Sequence, residues 1–330
     1  MFILEGKAVF TRFENNVEKF SYTFNALNDA VITKSVDDLI DTAVIKLPTK
    51  FKVRQNGQEL FTEEALKVGD KVTITLGYQD KYSGVEFAGY VKKISSKIPL
   101  VIECEDAMWL LRRKSITKSF GKTTMKEVLK EVVKGTGIEL DSRCANIDLE
   151  KWVSKAESGA QVLERFKKNL LMTSFITDEG KLYCGLKELT NIGNTVVYDL
   201  NYNIVENNLD YKSKDDRRIK LKYIYIDKAN KKKSIEVGDS DGEERTYHTS
   251  VVSDMKKLTE MANFKLNKLK YDGFDGDVKS FLIPYATRGM TAKLVNSVHK
   301  NREGNYFIEK VVTIFSRRGA RRTVSISNKL

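Results

Sequence analysis

Histidine, cysteine and proline are scarce in this chain, whose 330 residues include 2 histidines, 3 cysteines and 3 prolines. Few histidines leave little room for catalytic triads and metal centres, since both depend on imidazole groups. We expect His248 and His299 to lie at the surface, because neither has a Cys, Asp or Glu nearby at ligand spacing. Carboxylates can also act as acids and bases, so these counts alone do not exclude an enzyme.

The cysteines are widely separated, and no CxxC pair occurs among Cys104, Cys144 and Cys184. We therefore predict three reduced cysteines and no zinc site, as is typical of a protein made in the cytosol. No apolar run is long enough for a signal peptide or a membrane helix, so no direct membrane insertion is predicted. With so few prolines, a Pro-rich linker is excluded.

Motifs of nucleotide-binding and hydrolytic enzymes are also missing. The segment GKTT at 121–124 resembles the end of a phosphate-binding loop, but Ile116 stands where the upstream glycine is required. Neither G-x-S-x-G nor HExxH is present. The acidic segment around Asp239 and Asp241 lacks the remaining calcium ligands of an EF-hand, so a solvated turn is favoured. We predict no enzyme, no cofactor and no catalytic, cofactor-binding or metal-binding residue.

The formal net charge is +12, from 57 Lys and Arg against 45 Asp and Glu. Basic clusters occur at 112–114, 231–233 and 317–322, in separate predicted turns and without interleaved aromatic residues. A nucleic-acid partner is one interpretation of this charge. Passive electrostatics along a pore or an interface is the interpretation we favour, and no specific nucleic-acid binding is predicted.

Two segments 220 positions apart predict the same β module. One begins at Gly69 and the other at Gly289, and each predicts a strand, a polar loop with glycine, a long strand, a turn and a strand. An ungapped alignment also matches the following pairs: Gly84 with Gly304, Phe87 with Phe307, Val91 with Val311, Ile94 with Ile314, and Ser96 with Ser316. A β module built twice lets three chains present six similar units, which indicates assembly rather than chemistry.

The predicted fold class is α+β, mainly β, with two tube-like β-barrel domains and an inserted α+β domain. Short alternating strands separated by turns indicate the first barrel in residues 1–105. Helical periodicity indicates the α+β middle domain in residues 106–194. Residues 195–330 return to strands and form the second barrel, with an inserted helix near 253–271.

Local signals mark the ends of several elements. Asn56–Gly57 predicts a hairpin turn. Thr124 with Glu127 predicts the start of one helix, which Gly135 ends, and a second helix is expected near Ser158. Residues 227–245 are interpreted as a hairpin or loop. The helix after them is expected to pack on a sheet through these apolar residues: Met255, Leu258, Ala262, Leu266 and Leu269.

Together these elements resemble the baseplate hub proteins of contractile-tailed phages. The resemblance is to the late-control D-like hub family and to the hub part of type VI secretion spike proteins. GDKVTITLGY, FAGYVKKISS and PLVIECEDAMWLLRRK are similar to that family's first barrel and its exit. GKTTMKEVLKEVVKGTGIEL and SGAQVLERFKKNLLMTSFITDEGKLYCG are similar to its middle domain. DMKKLTEMANFKLNKLK, TRGMTAKLV and NYFIEKVVTIFSRRGARRTVSIS are similar to its closing barrel.

The resemblance implies a homotrimeric ring with pseudo-six-fold symmetry, located in the tail baseplate of a virion and made in the host cytoplasm. One face of the ring would meet the tail tube protein and the other the central spike protein. The tape-measure protein and other baseplate proteins are further partners. The family supplies no catalytic residues. Two alternatives stay open: a basic nucleic-acid-binding protein and a carboxylate-based cell-wall hydrolase.

Overall fold

The computed structural model describes residues 3–15, 17–25, 27–49, 52–55, 58–170, 172–187, 193–226, 231–249, 255–300 and 303–330. The predicted Asn56–Gly57 turn lies outside these ranges, although the strands on either side of it pair antiparallel. In the part of the chain so described, no helix combines the length and apolar character needed to span a membrane.

The N-terminal third is built of β strands and one short helix. These are β1 Leu4–Glu14, β2 Val17–Phe24, β3 Asp29–Ser35, β4 Thr42–Leu47, β5 Lys52–Gln55, β6 Gln58–Phe61, α1 Thr62–Ala65, β7 Lys71–Tyr78, β8 Tyr82–Ser95 and β9 Leu100–Glu105. The longer strands form where apolar and polar residues alternate along the chain. In β7, Val72, Ile74 and Leu76 are fully buried, whereas the intervening threonines face outwards and are half-buried.

The middle third mixes helices with short strands. These are α2 Met108–Arg113, β10 Ser115–Phe120, β11 Thr123–Thr124, α3 Met125–Val133, β12 Asp148–Leu149, β13 Trp152–Ser158, α4 Gly159–Leu170, β14 Thr173–Ile176 and β15 Leu182–Gly185. A separate hydrophobic cluster unites this segment, and Trp152 stacks on Phe166 at 4.5 Å within it. This segment therefore combines helices and short strands around a core of its own.

Both predicted helix starts are confirmed by their hydrogen bonds. The hydroxyl of Thr124 accepts the N–H of Glu127 at 3.3 Å. Ser158 and Gln161 cap each other: the Ser158 N–H donates to Gln161 Oε1 at 2.7 Å, and the Gln161 N–H donates to Ser158 Oγ at 3.2 Å. Gly135 follows α3 with φ +77°, a conformation that glycine adopts without a steric cost.

The C-terminal third contains β16 Thr195–Asp199, β17 Glu206–Lys212, β18 Ile219–Ile226, β19 Lys232–Gly238, β20 Glu243–Thr249, α5 Met255–Leu269, β21 Gly273–Ser280, β22 Thr291–Val295, β23 Gly304–Ser316 and β24 Gly319–Lys329. The segment interpreted as a hairpin or loop contains β19 and the start of β20, which flank β18 in a three-stranded sheet and do not pair with each other; residues 227–230 lie outside the described residues. Helix α5 packs on this sheet through Leu258 and Ala262, as predicted. Met255 is exposed, contrary to prediction.

A thirteen-stranded sheet runs through both ends of the chain in the order β17-β21-β24-β23-β3-β4-β9-β8-β7-β1-β2, with β22 joined to β23 and β16 to β22. The mainly β, α+β fold class is confirmed. The described strands follow an open path, so closed tube-like barrels stay a prediction. Separate hydrophobic clusters lie beneath the first strands and beneath the last ones. Leu282, Phe315 and Ala320 from the C-terminal strands and loops pack into the first cluster.

Candidate assembly surface and module junction

The doubled segment forms two similar β modules: β7, β8 and β9 in the first, and β22, β23 and β24 in the second. In each, three consecutive strands pair antiparallel. Gly69 and Gly289 occupy equivalent places with φ of +93° and +83°. The Gly69 N–H donates to the carbonyl oxygen of Val91 at 2.8 Å, and the Gly289 N–H donates to that of Ile308 at 2.9 Å. The predicted internal repeat is therefore present in the fold.

The ungapped alignment is wrong for the long strand of each module, β8 and β23. Val91 corresponds to Ile308 and not to Val311, because both carry the same bond to the glycine. A β-bulge then follows each, between Val91 and Lys93 and between Ile308 and Lys310. The remaining matched pairs of the long strand are displaced by the same three positions. The cause is the length of the hairpin: from the glycine to the residue that accepts its N–H, the chain runs 22 positions in the first module (69 to 91) and 19 in the second (289 to 308).

Strand β23 joins the two modules. Its first residues pair with β22, and its last residues, Lys310–Ser316, pair antiparallel with Asp29–Ser35 of β3. The N–H of Val36 donates to the carbonyl oxygen of Glu309 at 3.0 Å and extends this contact. One long strand thus belongs to both modules. Within the sheet, β4 and β3 continue the first module beyond β9, so β3 is its last strand, and β3 is not an edge because β23 pairs with it.

A buried ion pair lies across the same junction. Arg322 of β24 contacts Glu86 of β8 at 2.5 Å, and both side chains are at most 3% exposed. Arg322 also donates to the carbonyl oxygens of Leu282 at 2.7 Å and Pro284 at 3.0 Å. Tyr82 donates to Glu86 at 2.9 Å, and burial together with the charge of Glu86 raises the pKa of Tyr82 to about 12. Such bonds offset the cost of burying two charges.

A second buried cluster links the first module to the middle domain. Asp41 accepts the N–H of Ser35 at 3.3 Å and pairs with Arg288 at 2.7 Å. Asp106 accepts the N–H of Met108 at 2.9 Å and that of Asp41 at 3.0 Å. Burial, opposed by the charge of Arg288, raises the pKa of Asp41 to about 6. Burial and the nearby charge of Asp41 raise the pKa of Asp106 to about 8.

Asp178 brings the second module into this cluster. Its two oxygens accept from Lys34 and from the Tyr285 hydroxyl, each at 2.8 Å, and Arg288 lies 3.6 Å away. Burial raises the pKa of Asp178, but the charges of Lys34 and Arg288 and these hydrogen bonds outweigh it and lower the pKa below its ordinary value. All six carboxyl oxygens of the three aspartates therefore have protein partners. A cavity of about 240 Å³ borders the cluster.

The predicted basic clusters are partly structural. Arg112 pairs with Glu105 at 2.8 Å, and the Arg113 guanidinium lies 3.3 Å from the centre of the Trp109 ring. Lys114 donates to carbonyl oxygens at the end of α3, including that of Lys134 at 2.6 Å. With Arg322 buried as well, the sequence clusters overstate the charge available to a polyanion. Sequence reasoning missed these internal roles because a run of basic residues does not show which side chains the fold turns towards a partner.

The remaining candidate residues occupy surface positions. His299 is exposed, as predicted, in the loop after β22; the side chain of His248 lies outside the described residues. In the predicted acidic turn, Asp239 accepts from Lys270 at 2.6 Å and Asp241 pairs with Arg218. Among the residues that the structure describes, no three His, Cys, Asp or Glu side chains are grouped to hold a metal ion.

Doubled β modules joined to a small α+β domain define the class of fold, and solved structures share it. A 43 kDa tail protein of prophage MuSo2 from Shewanella oneidensis is 16% identical, with a TM-score of 0.63 and 97% of each chain covered. A tail protein from Neisseria meningitidis MC58 is 13% identical, with a TM-score of 0.64, covering 98% of this chain and 97% of that one.

An Escherichia coli type VI secretion component, described as structurally similar to the T4 bacteriophage tail proteins gp27 and gp5, is 11% identical. Its TM-score is 0.55, and the match covers 92% of this chain and 73% of that one. No protein-family model and no curated protein matches the sequence. The predicted resemblance is confirmed at the level of fold: this chain has the fold of phage tail proteins and of a type VI secretion component.

Proposed function

We propose that this protein is the structural baseplate hub of a contractile tail or a related injection machine. Three copies form a ring that adapts the six-fold tail tube to the three-fold central spike. The doubled β module carries this proposal, because a trimer of doubled modules presents six similar units to a six-fold partner. The fold shared with tail proteins over 97% of the chain supports it.

In this role the chain works by contact and not by chemistry. Its partners are two further copies of itself, the tail tube protein, the central spike protein, the tape-measure protein and other baseplate proteins. Its location is the virion baseplate, after synthesis in the host cytoplasm. The buried ion pairs between modules support such a role, because they hold the two β modules and the middle domain in one arrangement.

Light scattering after size-exclusion chromatography tests the proposal. We expect a particle of three times the 37.7 kDa of one chain, formed alone or with the tube and spike proteins. A protein that stays monomeric at every concentration, and that also fails to co-assemble with both partners, would contradict it.

The two alternatives have less support. A DNA-binding protein would lose affinity steeply with salt, with a log–log slope of about −0.9 for each neutralised phosphate. A cell-wall hydrolase needs a free carboxylate pair, whereas the carboxyl oxygens of Asp41, Asp106 and Asp178 already have protein partners. We expect no DNA retardation at physiological salt and no release of peptidoglycan fragments.

A further inference from the structure

The antiparallel pairing of β3 with β23 at the module junction supplies a geometric template for strand pairing between two copies of the chain. In this joint β3, the last strand of the first module, adds to the end of β23, with Ile32 opposite Thr313 and Lys34 opposite Val311. Strand β23 is the long strand of the second module. Its counterpart in the first module is β8, so the question is which strand adds to the end of β8.

The strand registers identify the counterpart of β3. In the first module, directly opposed residues lead across the sheet from Val91 to Cys104, Ala43 and Ile32. In the second module the corresponding path leads from Ile308 to Ile326, Gly276 and Leu209. Since Val91 and Ile308 are equivalent, Ile32 corresponds to Leu209. Strand β17 is therefore the counterpart of β3.

No further described strand pairs with either of the equivalent positions, although the hydroxyl of Ser96 donates to Glu63 of α1. Among the described residues, β17 pairs only with β21, and β8 beyond Val91 pairs only with β9. Within β17 the N–H of Leu209 donates to the side-chain oxygen of Asn207 at 3.0 Å and not to a neighbouring strand. A long unpaired edge of this kind is a template for pairing with another chain.

Charge on the two edges is complementary. Asp210 of β17 lies directly opposite Asp275 of β21, and Asp277 is on the same face. The carboxylate of Asp275 is already paired with Arg217 at 3.4 Å, so Asp210 and Asp277 carry the acidic character of this edge. On the other edge, the exposed Lys93 and Lys97 lie on either side of Ser95. Lys93 reaches Glu103 only at 3.8 Å. The template register puts Asp210 opposite Ser95, with Lys93 as its diagonal neighbour.

We propose that β17 of one copy pairs antiparallel with the end of β8 in a second copy, with Leu209 opposite Ser96 and Tyr211 opposite Ile94. This inference rests on the proposed hub function and names the contact that builds its ring. The contact is head-to-tail, since each copy offers β17 on one side and β8 on the other. Three repeats of it close the ring and remove both free edges.

A cross-linking experiment tests this register. Ser95→Cys and Asp210→Cys are introduced together, the protein is oxidised, and non-reducing electrophoresis is run. The native Cys104, Cys144 and Cys184 are buried and should not take part. We expect covalent dimers and trimers. Inside one chain, the N–H of Val36 is bonded to Glu309, so Thr33 and Val312, three positions along each strand, form a non-hydrogen-bonded pair, in which the strands approach most closely. Asp210 and Ser95 are the equivalent pair between two copies, which is why they are chosen for the disulfide.

Two matched controls accompany it. Thr33→Cys with Val312→Cys is the same pair inside one chain and should form a disulfide without changing the mass. Ser95→Cys with Ser21→Cys tests β2, the other end of the main sheet, and should leave monomers. Cross-linking through Ser21 as efficient as through Asp210 would overturn the proposal.

Charge variants give a second readout that needs no disulfide. Asp210→Lys and Lys93→Asp should each weaken trimer formation roughly tenfold at low salt, and the double variant should restore it. A wild-type trimer that shows neither cross-linking nor this rescue would refute the strand pairing and leave the hub function standing. Failure of the wild-type protein to form trimers, even with the tube and spike proteins, would refute both.

Discussion

Single charged residues at the module junction have different energetic roles from those on the surface. Arg322 and Glu86 are almost fully enclosed, and the arginine reaches both the other module and the loop before β22. Removing one member of a buried pair leaves an uncompensated charge, which typically costs about 3–5 kcal/mol. An exposed pair on a helix contributes only about 0.3–0.5 kcal/mol.

The first prediction follows from that difference. Arg322→Met should lower the free energy of unfolding by about 3–5 kcal/mol, because Glu86 is left buried without its partner. Lys130→Ala, which breaks the exposed pair of Lys130 with Glu127, should cost less than about 0.5 kcal/mol. Urea unfolding followed by circular dichroism measures both. Equal losses in the two variants would contradict the structural role of Arg322.

The second prediction concerns pH. The pKa of Asp106 is raised to about 8, so the folded protein keeps a proton that the unfolded chain releases near pH 4. The stability that the folded protein gains from holding this proton is complete below about pH 4. It is lost as the pH rises to about 8, at up to about 1.4 kcal/mol of unfolding free energy per pH unit. Asp178 acts in the opposite sense. Because its pKa is lowered in the folded protein, it adds stability at pH values above the ordinary pKa of an aspartate, and this stability is lost on acidification.

Urea unfolding between pH 5 and pH 8 measures this slope. Asp106→Asn has no proton to lose, so its stability should fall less steeply over this range than that of the wild type. Asp148→Asn, at an exposed carboxyl group, should keep the wild-type slope. Parallel slopes for Asp106→Asn and the wild type would show that another group governs the pH dependence.

At the scale of elements, local sequence signals were reliable where the bonding partners are near in the chain. The capping residues of α3 and α4 were predictable. The third prediction is that Thr124→Ala costs about 0.5–2 kcal/mol, because the N–H of Glu127 loses its acceptor. Thr123→Ala, one residue before the cap, should cost less. Thermal unfolding of both variants measures the difference, and equal costs would argue against the cap.

Elements held by distant partners were predicted less well. The region of β19 and β20 was interpreted as a hairpin or loop, because its residues are largely polar; both strands in fact gain their hydrogen bonds from β18. The repeat was detectable from Gly69 and Gly289, which need positive φ. The three-position displacement along the long strand was not, since it depends on loop length and on bulges that leave no clear mark in the sequence.

The whole molecule depends on the pairing of β3 with β23. Leu282, Phe315 and Ala320 also complete the core of the first module, and Phe307 of β23 packs in a small cluster with Val36, Phe175 and Tyr183. Each end of the chain therefore leaves apolar side chains uncovered when the other is removed. The fourth prediction is that residues 1–187 and residues 193–330 aggregate when produced separately and copurify when produced together. A stable, monodisperse fragment 1–187 would contradict this dependence.

By itself the sequence determined the mainly β class, the doubled module, the inserted α+β segment and the resemblance to tail hub proteins. These follow from alternation, helical periodicity and glycine positions, which act over short distances along the chain. The tertiary structure alone decided that both modules share one sheet, that Arg322 and Asp106 are buried, and that, in the described part of the chain, β17 pairs only with β21 and the end of β8 only with β9. Those properties depend on contacts between residues that are far apart in the chain, such as Arg322 and Glu86, which are separated by 236 positions, and no local pattern encodes such contacts.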